Sequence, residues 1–98
     1  MTENIDQLKE AVERMHGCTA KLADTVYVSE TFQDKVVWQG IVHVFNIKGN
    51  PLAKKCYAWS SPIEGSSKRR FFAVLHTPPI KSAQDAVKAA IIQEYKAK

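Results

Sequence analysis

The sequence contains few of the residues that covalent, redox or metal chemistry requires. Only two of its 98 residues are cysteines, Cys18 and Cys56, and they do not form a C-x-x-C pair. Two cysteines cannot make a zinc site alone, so we expect no metal ion. The four glycines are scattered, which excludes a glycine-rich phosphate loop, and no G-x-S-x-G or H-E-x-x-H motif is present. We therefore expect no cofactor, and the sequence favours a non-enzymatic protein without deciding the question.

The sequence also lacks any long apolar run. A membrane-spanning helix needs about 20 apolar residues, and no stretch here approaches that length. The first residues, MTENIDQ, show no basic region followed by an apolar block, so we expect no signal peptide and no membrane partner. A cytoplasmic location with reduced thiols follows as the default expectation. The length predicts one domain, residues 1–98.

What the sequence does contain is a long apolar strand at residues 36–47, VVWQGIVHVFNI, without charge or proline. β-branched and aromatic side chains favour a strand. Side chains alternate between the two faces of a strand, and here both faces are apolar. We therefore expect both faces of this strand to be covered.

The flanking patterns predict the order α-β-β-β-β-α. Apolar residues at helical spacing predict a first helix over 4–16, capped by Asn4 and closed by Gly17. Strands are expected over 21–32, 36–47, 53–61 and 69–77, and Ser82 with Asp85 caps a final helix. Short connections favour an antiparallel meander. The predicted class is α+β: a two-layer sandwich in which both helices cover one face of a four-stranded sheet.

The other face of this predicted sheet is the strongest functional candidate. It combines aromatic and apolar groups, which are typical of protein interfaces. We predict that the protein forms a homodimer through this outer face. The candidate interface residues are Ile41, His43, Phe45, Tyr57, Trp59, Phe72 and Val74, with Phe45, Tyr57 and Trp59 as anchors.

Two other functions stay open. Residues 48–81 carry seven bases against one acid, although the whole chain has a net charge of +4. Such asymmetry attracts nucleic acid or an acidic protein surface, with aromatic side chains stacking on bases. The candidates for this contact are Lys54, Lys55, Lys68, Arg69 and Arg70. The third alternative is a small-molecule site or an enzyme of unknown reaction, in a groove near Glu30 and His43.

Other titratable groups are weaker candidates. His16 lies near Cys18, but a helix end with a buried thiol explains both residues without redox chemistry. His43 and His76 are predicted on the same face, opposite Cys56, so three metal ligands do not converge.

Two resemblances follow from these patterns. The α-β-β-β-α core resembles the double-stranded RNA-binding domain, but residues 81–85, KSAQD, lack that family's lysine-rich helix start, and a strand is added. Its function is therefore not expected here. The stretches 16–21 (HGCTAK), 37–42 (VWQGIV), 56–60 (CYAWS) and 79–91 (PIKSAQDAVKAAI) resemble a group of small, uncharacterised bacterial α+β proteins. That resemblance implies no assigned activity.

Overall fold

A computed structural model describes residues 5–62 and 65–96. Its four strands form one antiparallel sheet in the order β1-β2-β3-β4, with one helix before the strands and one after them. The predicted α+β class, the element order and the antiparallel meander are therefore confirmed. The elements are α1 (Ile5–His16), β1 (Thr19–Phe32), β2 (Lys35–Lys48), β3 (Lys55–Pro62), β4 (Arg69–Leu75) and α2 (Ala83–Lys96).

Helix α1 ends as its sequence predicts. Leu8 and Val12 form its buried stripe. Gly17 adopts a left-handed conformation with φ of 60°, and the Cys18 N–H donates to the Glu13 carbonyl at 3.3 Å. This is the hydrogen bond that closes a helix through a left-handed glycine. Asn4, the predicted cap at the start, lies outside the described residues.

The loop between β2 and β3 fastens to this helix end. Asn50 Nδ2 donates to the His16 carbonyl at 3.4 Å. The Asn50 Oδ1 accepts the N–H groups of Leu52 and Ala53 at 2.8 and 3.1 Å. Gly49 has φ of 96°, so glycine relieves the strain that a side chain would bring there. The Asn50 side chain therefore provides hydrogen-bond partners for backbone groups of the helix end and of its own loop.

Strands β1 and β2 form a hairpin of two 14-residue strands. Their turn consists of Gln33 and Asp34, with φ of 53° and 64°, between the partners Phe32 and Lys35. Two successive positive φ angles define the mirror-image turn that suits strand twist. Register shifts between Leu22 and Asp24 and between Glu30 and Thr31 interrupt the hairpin. The first shift changes which β1 side chains share a face.

The helices do not share a face of the sheet, which corrects the predicted two-layer arrangement. Each helix packs on its own face, so the architecture has three layers: helix, sheet, helix. The core under α1 contains Leu8, Val12, Ala20, Phe45, Ile47, Ala53, Cys56 and Ala58. The core under α2 contains Val28, Val42, Val44, Tyr57, Trp59, Ala83, Ala86 and Val87. We call the two sides the α1 face and the α2 face.

This arrangement explains why β2 is apolar on both sides. Phe45 and Ile47 point to the α1 face, whereas Val42 and Val44 point to the α2 face. Gly40 makes room for Trp38 on the α2 face. A Cβ at Gly40 would lie 3.1 Å from the Trp38 indole.

Helix α2 begins with the predicted cap. The Asp85 N–H donates to Ser82 Oγ at 3.2 Å, and the Lys81 N–H donates to Asp85 Oδ2 at 3.1 Å. The Ala86 N–H donates to the Ser82 carbonyl at 3.1 Å. These bonds satisfy donors that a helix start otherwise leaves open. Neither helix in the described part of the chain is long and apolar enough to cross a membrane.

Candidate functional surfaces

The predicted interface residues do not share a face. Directly opposed residues of antiparallel strands point to the same side of the sheet. Tyr57 pairs with Val44, and Cys56 pairs with Phe45, so the register places β3 one residue away from the expected alignment. Such a shift sends every side chain of the strand to the opposite face. Ile41, His43 and Phe45 therefore lie on the α1 face, and Tyr57, Trp59, Phe72 and Val74 lie on the α2 face.

The predicted aromatic anchors belong to the core. Trp59 is 2% exposed and stacks on Phe72, with ring centroids 5.1 Å apart and planes within 9°. Trp38 adds a tilted contact to Trp59 at 6.0 Å, and the Arg70 guanidinium lies 5.0 Å from the Phe72 centroid. Phe45 is fully buried on the other face. Neither Trp59 nor Phe45 is accessible to a partner.

The five predicted nucleic-acid contacts are exposed but do not form one patch. Lys54 and Lys55 lie at the start of β3, and Arg69 and Arg70 pair with the end of the same strand. Lys55 and Pro62, the partner of Arg69, are seven steps apart along β3, which corresponds to about 23 Å. Arg69 also donates from Nε to Ser60 Oγ at 2.8 Å. The structure thus divides this basic group, and nucleic-acid binding stays a prediction.

The proposed groove near Glu30 and His43 does not exist as one site. Glu30 pairs with Trp38 on the α2 face, where it contacts the Gln84 side chain. His43 is buried and pairs with Ala58 on the α1 face. The two residues are separated by the sheet, which rules out a site that uses both.

The faces on which the histidines and cysteines lie also differ from the prediction. Cys56 shares the α1 face with His43, whereas His76 lies on the α2 face, contrary to expectation. His16 Nε2 donates to the Ala73 carbonyl at 2.9 Å, which ties α1 to β4. Within residues 5–62 and 65–96, no three His, Cys, Asp or Glu side chains are grouped to hold a metal ion.

The thiols are arranged for packing. Burial, and to a smaller extent the nearby Cys18, raises the pKa of Cys56 to about 12. Burial and then the Glu13 carboxylate raise the pKa of Cys18. A nucleophilic cysteine needs a depressed pKa. The pKa of both thiols is raised instead, which disfavours a nucleophilic role for either.

Tyr57 and His76 form a short hydrogen bond, with Tyr57 Oη 2.6 Å from His76 Nδ1. Burial, then the Asp85 carboxylate, raises the pKa of the Tyr57 hydroxyl. The tyrosine therefore stays protonated and holds the imidazole in place. The pair fixes β3 to the segment that follows β4.

Side chains cap backbone groups at both edges of the sheet, which the sequence did not reveal. On β1, Asp24 Oδ1 accepts the Thr25 N–H at 2.8 Å, and Gln84 Nε2 donates to the Ser29 carbonyl at 3.0 Å. On β4, the Ala73 carbonyl accepts a hydrogen bond from His16 Nε2. Capped edges resist pairing with another strand. These three contacts occupy only part of each edge.

Part of the β1–β2 hairpin on the α1 face lies open. We call it the hairpin patch; it consists of the exposed residues Thr25, Tyr27, Ser29, Gln39 and Ile41. Of the predicted interface set, only Ile41 belongs to it. In the sequence, the alternation that places Thr25, Tyr27 and Ser29 on one face of β1 indicates that this face is exposed to solvent.

The chain was compared with protein-family models, with curated proteins and with solved structures, and no match was found in any of the three. Its class therefore rests on the fold described above: an α+β domain with one helix on each face of a four-stranded meander.

Proposed function

We propose that this protein is a small non-enzymatic domain that self-associates weakly through the hairpin patch. The observation that carries the proposal is the pair Tyr27 and Ile41. They are direct cross-strand partners, yet their side chains are 61% and 42% exposed. Neighbouring aromatic and branched apolar residues that are both exposed are typical of a protein-binding surface.

The patch is open because helix α1 is short. Its 12 residues span about 18 Å, whereas each 14-residue hairpin strand spans about 46 Å. Leu8 and Val12 cover Phe45 and Ile47 at one end of the hairpin. The other end, with Tyr27 and Ile41, extends past the helix.

Charge favours a second copy as the occupant. None of the five patch residues is charged, although the chain carries a net charge of +4. Two identical copies repel each other through charged surfaces, and a neutral patch placed on a two-fold axis minimises that repulsion. The Tyr27 hydroxyl donates to Gln39 Oε1 at 3.2 Å, which orders two of the polar side chains of the patch before a partner binds.

The expected association is weak. A stable interface uses about 20–30 residues on each side, and the hairpin patch has five. We expect a dissociation constant of about 0.1 mM, which corresponds to about −5.5 kcal/mol. Neighbouring residues on the hairpin would add to the contact without being its centre.

Sedimentation velocity tests the proposal across concentrations from about 10 µM to about 1 mM, a range that brackets the expected constant. The wild type should shift towards a dimer as concentration rises. Ile41→Lys places two like charges at the axis and should stay monomeric. The matched control is Ile92→Lys on α2, which is 47% exposed and adds the same charge.

Circular dichroism should show that both variants are folded, because both positions are exposed. A wild type that is monomeric throughout the range rejects the proposal. Equal loss of association in Ile41→Lys and Ile92→Lys also rejects it, since net charge and not the patch would then explain the effect.

A further inference from the structure

Two grooves meet at the end of the hairpin that lies away from its turn. The first, of about 610 Å³, runs along the β2–β3 loop and contains Lys48, Lys54 and Lys55; we call it the lysine groove. The second, of about 590 Å³, lies between β1, β2 and the start of α2; we call it the α2 groove. Asn46 and Lys55 line both grooves and therefore mark their junction.

The lysine groove is prepared for an anion. Its lining residues include three lysines and two asparagines but no acid. In the described part of the chain, no carboxylate lies within ion-pair distance of Lys48, Lys54 or Lys55. Strand pairing adds a further cation, because Lys21 is the cross-strand partner of Asn46 on one side and Lys55 is its partner on the other. Clustered cations raise the local concentration of anions.

The α2 groove offers an apolar surface instead. Val26, Val28 and Val44 lie along its sheet side, and Ala83 lines its helix side. Its one acid, Asp24, already accepts the Thr25 N–H. The first turn of α2 contributes no binding here, because Ser82 already accepts the Asp85 and Ala86 N–H groups. The site thus rests on side chains of the sheet.

We propose that the joined grooves bind a small amphipathic anion. A carboxylate or phosphate group contacts Lys48 and Lys55 and accepts a hydrogen bond from Asn46 Nδ2. An apolar body, such as an aromatic ring, lies on Val26 and Val44. Ligand pockets typically combine an apolar lining with a few polar groups that set orientation, and charge-assisted hydrogen bonds are the stronger kind. The site does not require self-association, although Tyr27 of the hairpin patch is also among the residues that line the α2 groove.

The test uses phenyl phosphate, phenylacetate and inorganic phosphate as probes, followed by ¹H–¹⁵N NMR titration of dilute protein. We expect saturable shifts at Asn46, Lys55 and Ala83 with phenyl phosphate or phenylacetate, and the tighter of the two identifies the preferred anion. Inorganic phosphate lacks the apolar body and should bind at least about fivefold more weakly, since a buried ring adds binding free energy.

Lys55→Gln and Asn46→Ala should each weaken the preferred probe about fivefold to tenfold, because each removes one polar contact to the anion. The matched control is Lys68→Gln, which removes the same charge at an exposed position in the β3–β4 loop and should leave binding unchanged. Equal weakening by Lys68→Gln overturns the site, because binding would then follow net charge alone. The absence of saturable shifts with both aromatic probes overturns it as well.

Discussion

Truncating Trp59 is the sharpest test of the three-layer fold. Its side chain is 2% exposed, stacks on Phe72 and contacts Trp38. A buried tryptophan removes roughly 200 Å² from water, which corresponds to about 5 kcal/mol at 25 cal/mol per Å². The half-buried Trp38 can move into part of the space, so we expect Trp59→Ala to lower the free energy of unfolding by about 4 kcal/mol.

Guanidinium denaturation followed by far-ultraviolet circular dichroism measures this loss without relying on tryptophan fluorescence. Trp59→Phe keeps an aromatic ring against Phe72 and should lose only about 1–2 kcal/mol. The matched control is Tyr27→Ala, an exposed aromatic on the same sheet, which should change stability by less than about 0.5 kcal/mol. If Trp59→Ala loses less than about 1 kcal/mol, or no more than Tyr27→Ala, then Trp59 is not part of the α2 core and the assigned register of β3 is wrong.

Three further predictions concern the hairpin turn, the helix cap and the buried thiol. Replacing Gln33-Asp34 by Asn-Gly should raise the free energy of unfolding by about 1 kcal/mol, since both positions have positive φ; an unchanged denaturation midpoint contradicts this. Ser82→Ala should lower the free energy of unfolding by about 1 kcal/mol because it removes the cap of α2, whereas Ser82→Asp should keep most of the stabilisation that the cap provides. The raised pKa of Cys56, about 12, means that the neutral thiol stabilises the folded state fully below pH 9 and loses this contribution as pH rises towards 12. Between pH 7 and about 10, wild type should therefore lose about 1 kcal/mol more than Cys56→Ala, and equal losses in the two proteins would contradict the burial of the thiol.

Side chains occupy individual backbone groups at both edges of the sheet. Thr25, Ser29 and Ala73 each have a backbone group occupied by a side chain. Two of these side chains, Gln84 and His16, come from the helices, so each helix also protects an edge.

Much of the local structure could be predicted because its causes lie within a few residues. The stripe containing Leu8 and Val12, the left-handed Gly17 and the Ser82–Asp85 cap depend on neighbours three to five positions away. The candidate site could not be predicted in the same way. Tyr57 and Trp59 have the composition of an interface, but composition does not distinguish an exposed aromatic cluster from a core that a helix covers.

The sequence by itself determined the order of helices and strands, their antiparallel connections and the apolar character of both faces of β2. Only the tertiary structure decided which helix covers which face, and it did so through the pairing of Val44 with Tyr57. The alternation of side chains along one strand predicts which of them share a face. The alignment between strands, however, depends on loops, bulges and packing across the whole sheet. A shift of one residue in that alignment moved Trp59 from a predicted surface into the core, and it left Tyr27 and Ile41 exposed as the surface available to a partner.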